Sequence, residues 1–489
     1  QPDGNVGARP ILCFPWRRPA KAMTCLSAAS VPFPSFTFPS KLSARLLPPK
    51  PNLLGFRTST WLSRTSLTTP HATDEPGVRS WGASTLRELC EGRVPEHILR
   101  RMEDIGYVVP TDVQRQGLPV LLSGHDCVLH AQTGSGKTLA YLLSIFMVVN
   151  SQRSAVQALI VVPTRELGIQ VTKVTRMLAA KPEGHEVKQK PCTVMALLDG
   201  GLLRRHKSWL KAEPPTIVVS TIKCLCEMLG KRIFKLDSVH VLVIDEVDFI
   251  FNSSKQVSPL RKLLTSYSSS SVRQTIFASA SIPQHNHFLH ECIQQKWMKR
   301  DVVHIHVNPV EPMPARLRHR FLICNKKERY QNLLSLLQSD EPESAIIFVS
   351  EQSEKSKKAG DVPTSTLLIE FLKASYAKFF DVHLLEGEMN FNSRAASLTD
   401  VRQGSGHLLV STDIAARGVD LPETTHIYNF DLPGTAVNYL HRAGRTGRKP
   451  FSDTECTVTC FITSQERFVL ERYENELFFN CEEIILATH

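Results

Sequence analysis

No run in this 489-residue chain is apolar for long enough to cross a bilayer as a helix, which takes about 20 residues. No membrane partner is therefore expected. The 12 cysteines are scattered without paired metal-ligand spacing, so a zinc module is not expected and buried, reduced thiols are. Cys224 and Cys226 stand too close together for a C-x-x-C site and read as structural. Acid is nearly missing from residues 1–72, where nine Lys and Arg face the single Asp3. That segment alone holds eight of the chain's eleven net positive charges. The remainder is almost balanced, so net charge is poor evidence for a nucleic-acid partner.

The acid-poor segment is rich in Ser, Thr and Pro and lacks periodicity. Such a composition cannot bury a core and resembles an organelle transit peptide. Between Met23 and Ser40 there is no charge at all. That suits a plastid signal better than a mitochondrial one, which carries arginines early on an amphipathic helix. Residues 1–75 are expected to be a disordered transit peptide, with Met23 the true start and 1–22 upstream sequence. The expected location is the chloroplast; the alternatives are mitochondrion or cytosol.

What the chain does have is a phosphate loop. Ala131-Gln132-Thr133-Gly134-Ser135-Gly136-Lys137-Thr138 follows an apolar strand at 127–129 and leads into an apolar helix. Glycines let the backbone wrap so that successive N–H groups converge on a phosphate, and the helix N-terminus adds partial positive charge. Lys137 can reach the β- and γ-phosphates, and the Thr138 hydroxyl can hold Mg²⁺. A chance glycine-rich turn would not put Gly-Lys-Thr in register with those flanks. The expected ligand is a nucleoside triphosphate.

The apolar run 241–244 reads as a buried parallel strand and ends in Asp245-Glu246-Val247-Asp248. Carboxylates at a strand's C-terminal end open into the crevice where α/β sheets bind ligands. Asp245 is expected to hold Mg²⁺ and Glu246 to orient and deprotonate the attacking water. Near the C-terminus stands His441-Arg442-Ala443-Gly444-Arg445-Thr446-Gly447-Arg448. Arg445 and Arg448 could stabilise charge on the transferring phosphoryl group. About 300 residues separate them from the phosphate loop, too far for one small domain. A site completed by two domains follows.

These elements occur in order with Gly106-Tyr107, Pro110-Thr111 and Gln114, then Pro163-Thr164-Arg165-Glu166-Leu167, Ser279-Ala280-Ser281, and the stretch from Ser411 through Thr412, Asp413 and Arg417 to Asp420. Over roughly residues 80–475 the chain resembles a DEAD-box RNA helicase. The resemblance implies an α/β fold of two tandem RecA-like parallel-sheet domains, with an ATP site and an RNA track between them. It implies that Gln114 selects adenine, a role its amide suits by offering N–H and C=O together. It adds Asp420 to the ATP site and gives Asp248, Ser279, Ser281, His441 and Arg442 the coupling of the two domains. It assigns RNA contacts to Thr164, Arg165, Gly201, Thr221, Ser350, Thr412 and Asp413.

The chain departs from the family in places. Leu86, with Trp81 nearby, stands where an aromatic stacks on adenine, so weaker ATP affinity is expected. The family's Thr-Pro-Gly-Arg is Thr221-Ile222-Lys223-Cys224, and a glutamine expected three positions before Arg394 is Phe391. Both changes are expected to weaken the grip on RNA. Ser281 replaces a threonine but keeps the hydroxyl.

The body reads as two α/β repeats. Strands are expected at 127–129, 159–162, 217–220, 241–244 and 275–278, then at 320–323, 345–349, 382–385, 408–411, 426–430 and 457–462. Residues 76–308 and 315–489 form the two domains. Pro309, Pro312 and Pro314 make 309–314 a stiff linker and hinge. Residues 351–366 read as an exposed loop longer than its connection needs. The expected activity is ATP-dependent unwinding of short RNA duplexes by a monomer, with ribosomal or RNA-processing partners. A non-enzymatic RNA clamp or ribosome-assembly scaffold is the alternative, and a DNA translocase a third reading.

Overall fold

The computed structural model describes residues 85–180, 191–198, 203–233, 235–253, 255–267, 273–283, 288–307, 313, 317–376, 381–404, 406–422, 424–447 and 455–486. The expected transit peptide, Trp81, Gly201, Arg448 and all of the linker except Met313 lie outside the described residues.

Two seven-stranded sheets follow one another, and every pairing in them is parallel. The first holds β1 (Cys127–His130), β2 (Ala158–Val162), β3 (Val194–Leu197), β4 (Ile217–Thr221), β5 (Val241–Asp245), β6 (Gln274–Ser279) and β7 (Val303–His306). Their order is β3-β4-β2-β5-β6-β1-β7. The second holds β8 (Leu317–Ile323), β9 (Ser344–Phe348), β10 (Val382–Leu385), β11 (His407–Ser411), β12 (His426–Asn429), β13 (Cys456–Ile462) and β14 (Cys481–Glu483). Its order, β10-β11-β9-β12-β13-β8-β14, repeats the first strand for strand. The repeat read from the sequence is therefore a repeat of topology.

The apolar runs are the reason for the inner strands. Every residue of β2, β5, β11 and β13 is buried, as strands covered on both faces must be. Helices cover each sheet on both faces, giving two apolar layers per domain. Three strands, β3, β7 and β14, were not expected. All three are sheet edges, and β3 and β7 alternate in burial instead of being buried throughout. A short edge strand needs no continuous apolar run, so it leaves a weak signal.

Part of the expected 351–366 loop is a helix, Glu354–Ala359. Ser353 caps it, accepting from the Ser356 N–H at 3.1 Å, and Gly360 closes it at φ +77°. Both caps are legible in the sequence. The helix buries no residue, so it is a capped exposed excursion and not irregular chain.

Candidate active site

The phosphate loop joins β1 to the helix Lys137–Val148, and Gly136 at its end has φ +93°. A Cβ there would fall 2.4 Å from Gln114 Nε2, so only glycine fits. Gln114 is almost fully buried. Its Nε2 donates to the Gly136 carbonyl at 3.1 Å, and its Oε1 accepts from the Thr111 N–H at 2.9 Å. It therefore braces the loop as well as lining the cleft, a link that spacing alone did not reveal. One N–H and one acceptor position of the amide remain for a base. Lys137 Nζ donates to the loop's own carbonyls, Ala131 at 2.6 Å and Gln132 at 2.8 Å. Burial pushes its pKa down, against the pull of Glu246, Asp245 and Asp248.

Asp245 ends β5, and Glu246 follows at φ +49°, in the left-handed region. A non-glycine residue there costs of order 1–3 kcal/mol and is held only by its surroundings. Asp245 accepts from the Tyr141 hydroxyl at 2.8 Å and from the Glu246 N–H at 3.0 Å. Burial, then the charge of Glu246, pushes its carboxyl up to about 6. Glu246 Oε2 is buried without a hydrogen-bond partner. A crowded carboxylate pair with an orphaned oxygen, beside the Thr138 hydroxyl on the same wall, is a hard-oxygen donor set that fits Mg²⁺. Val247 packs fully buried in an apolar layer.

One cavity of about 410 Å³ collects these groups. Gln114, Lys137, Thr138, Asp245 and Glu246 line it from the first domain; Gly418, Asp420 and Arg445 line it from the second. Arg445 is buried, with Nε donating to the Ala416 carbonyl at 3.0 Å and Nη1 to that of Val419 at 2.6 Å.

The domains meet through buried polar contacts. Asp248 accepts from the Ser279 hydroxyl at 2.5 Å and the Ser281 hydroxyl at 2.6 Å, and lies 2.9 Å from His441 Nε2 across the interface. Burial alone would raise the Asp248 carboxyl. The His441 imidazole, Arg417 and Ser279 outweigh it and hold the group well below the usual carboxylate range. Thr133 Oγ1 donates to the Gly444 carbonyl at 3.3 Å. Three contacts were not expected. Arg394 pairs with Glu166 at 2.9 Å, with both side chains buried. Arg417 lies 4.8 Å above the Phe249 ring. Gly418, at φ +58°, sits so close to Leu167 that a Cβ would fall 2.6 Å from the leucine's Cβ.

Arg442 departs from its expected interdomain place. It donates to Asp413 at 2.6 Å, to Asn429 at 3.1 Å and to the Asp431 carbonyl at 2.8 Å, all within the second domain. The helix Ala436–Ala443 turns His441 toward the first domain and the adjacent Arg442 back into its own. Asp413 also accepts from Asn438 at 3.1 Å, so both of its oxygens are already hydrogen-bonded within the domain. Thr412 Oγ1 is buried without a partner. Thr164 and Thr221 each open a helix, Arg165 follows Thr164, and Ser350 is exposed just past β9.

Residues 111–288 match the model of the DEAD/DEAH box helicase family, and residues 326–450 that of the helicase conserved C-terminal domain. The chain is 70% identical over 402 residues to the Arabidopsis thaliana protein "DEAD-box ATP-dependent RNA helicase 58, chloroplastic", covering 82% of this chain and 84% of that one. The chain belongs to the DEAD-box helicase family. The rice protein of the same name is 67% identical, over 82% of this chain and 90% of its own. The fold also matches S. cerevisiae Dbp5 bound to RNA and ADP BeF3, at a TM-score of 0.67 and 21% identity, over 82% of this chain and 96% of that one.

As a DEAD-box helicase, the chain carries an altered adenine end. Leu86, though nearly fully buried, lines the cleft with the half-buried Tyr107 and Gln114. Gln114→Ala is expected to lower ATP affinity and narrow its advantage over GTP, since a bidentate base contact is worth about 1–3 kcal/mol. Competition binding of the two nucleotides checks this; an unchanged preference means the base is read elsewhere.

Proposed function

We propose that this chain couples ATP hydrolysis to the closing of two domains on single-stranded RNA, separating short duplexes locally, in the chloroplast. The observation that carries the reading is the single cavity lined by Lys137, Asp245 and Glu246 from one domain and Arg445 from the other. Residues 76–308 and 315–489 act as the two moving bodies, with 309–314 as hinge.

Lys137 leaves the Ala131 and Gln132 carbonyls to meet the β- and γ-phosphates. Thr138 and Asp245 would hold Mg²⁺, which neutralises phosphate charge when bound. Glu246 orients the attacking water and takes its proton. Arg445, fixed by two carbonyls, presents its guanidinium to charge developing on the transferred group, and Arg448 serves the same end. Thr164, Arg165, Gly201, Thr221, Ser350 and Thr412 hold the RNA backbone, with Asp413 in a supporting place. Phosphate contacts carry little sequence information, so the grip is largely indifferent to base order.

An ATPase assay with RNA, with DNA of the same sequence and with neither tests this. Turnover stimulated by RNA alone is expected. Equal stimulation by DNA supports a DNA translocase, and no stimulation a scaffold. The plastid location rests on the relatives' names and on the acid-poor N-terminus. Residues 23–75 fused to a fluorescent reporter should enter chloroplasts; a cytosolic or mitochondrial signal refutes that location.

A further inference from the structure

The helix Leu203–Ala212 carries Arg204, Arg205, His206, Lys207 and Lys211 and no acidic residue. One side is fixed to the fold: His206 and Leu210 are buried, with Leu210 in the apolar layer that also holds Val218. The rest of its surface is open, with Arg205 and Trp209 on one flank of the buried stripe and Lys207 and Lys211 about 200° round, on the other flank. Arg205, Lys207, Trp209 and Lys211 are all exposed. Trp209 keeps 45% of its surface in solvent, and the Arg205 guanidinium lies 4.4 Å from its ring centroid.

A lone exposed indole is ordinary, but one stacked on a guanidinium in a helix of cations is suited to recognition. Here the surroundings fit one occupant. Cations along a helix neutralise phosphates, while an indole and a guanidinium plane stack on bases of any identity. The placement agrees. The helix follows β3, which pairs with β4 from Val194 opposite Ile217 to Leu197 opposite Ser220, and β4 ends at Thr221. It therefore starts at the sheet end that carries Thr221, an expected phosphate contact. Trp209 lies about 9 Å further along, at 1.5 Å per residue.

We propose that this helix is a second RNA-binding surface outside the cleft: the Arg205–Trp209 pair stacks an unpaired base on one flank, and the strand crosses the helix so that Lys207 and Lys211 on the other flank hold its phosphates. It rests on the reading that the cleft binds RNA. It gives the first domain a hold on RNA where the family's proline and arginine are replaced by Ile222 and Cys224.

The test uses the full chain with a non-hydrolysable ATP analogue and oligouridines of about 8 and about 16 nucleotides, within the range of single-strand site sizes. The longer RNA is expected to bind more tightly. Trp209→Ala should weaken it roughly tenfold and leave the shorter one unchanged, and Trp209→Tyr should restore it. Replacing Lys207 and Lys211 by Ala should flatten the slope of log affinity against log salt by about 1.4, at roughly 0.7 per phosphate on a single strand. Equal losses on both lengths, or no loss on either, overturn the proposal. Unchanged affinity for the longer RNA together with lost binding to polyglutamate assigns the face to an acidic protein and also overturns it. Failure of the wild type to bind even the shorter RNA sinks the cleft reading itself.

Discussion

Glu246→Gln is expected to lower RNA-stimulated ATP turnover by about 10²-fold or more, the usual contribution of a general base. The amide keeps the shape of the carboxylate but cannot take a proton. The backbone at φ +49° should persist, because strand β5 and the buried Val247 fix it from either side. ATP affinity should therefore stay close to wild type, and the nucleotide-bound closed state should outlive that of the wild type on RNA. Steady-state turnover and equilibrium nucleotide binding separate the two effects. Unchanged turnover means another group activates the water.

Arg445→Lys is expected to cost more, about 10³-fold in turnover, the low end of the range for an arginine in phosphoryl transfer. Lysine keeps the charge but loses the planar fork. It also loses one or both bonds to the Ala416 and Val419 carbonyls that fix the side chain's direction. ATP binding without RNA should change little, since the phosphate loop belongs to the other domain. A variant that binds ATP poorly in the absence of RNA but turns over normally when saturated would place Arg445 in ground-state binding instead.

Much of this site was legible in the sequence because its pieces are local. Gly134, Gly136, Lys137 and Thr138 have meaning only at fixed spacing, and Asp245-Glu246 only at the end of a buried run. The same holds for the inner strands, each a short apolar segment. What stayed hidden was pairing between distant segments. Glu166 and Arg394 form a buried ion pair across 228 positions, and neither residue marks the other in one dimension. Removing either partner leaves the other buried and uncompensated, so this pair bears on closure as directly as Asp248 and His441 do. Gly418 is another case. It stands in a motif legible in the sequence, but the reason for glycine, the close approach of Leu167 from the other domain, is not. Arg442 departs from expectation for the opposite reason: its bonds to Asp413, Asn429 and the Asp431 carbonyl turn it into its own domain, while the adjacent His441, about 100° round the helix, reaches the other.

The central claim is that RNA and ATP act through one equilibrium between open and closed domains. A ligand shifts such an equilibrium only by its differential affinity for the two states, and the effect is reciprocal. The measurement is RNA affinity of the full chain with and without a non-hydrolysable ATP analogue. The analogue is expected to tighten RNA binding by about 5–150-fold, the usual 1–3 kcal/mol of coupling. His441→Ala, which strips the interdomain contact from Asp248, should reduce that gain. An RNA affinity that the analogue leaves unchanged in the wild type would contradict the two-domain clamp.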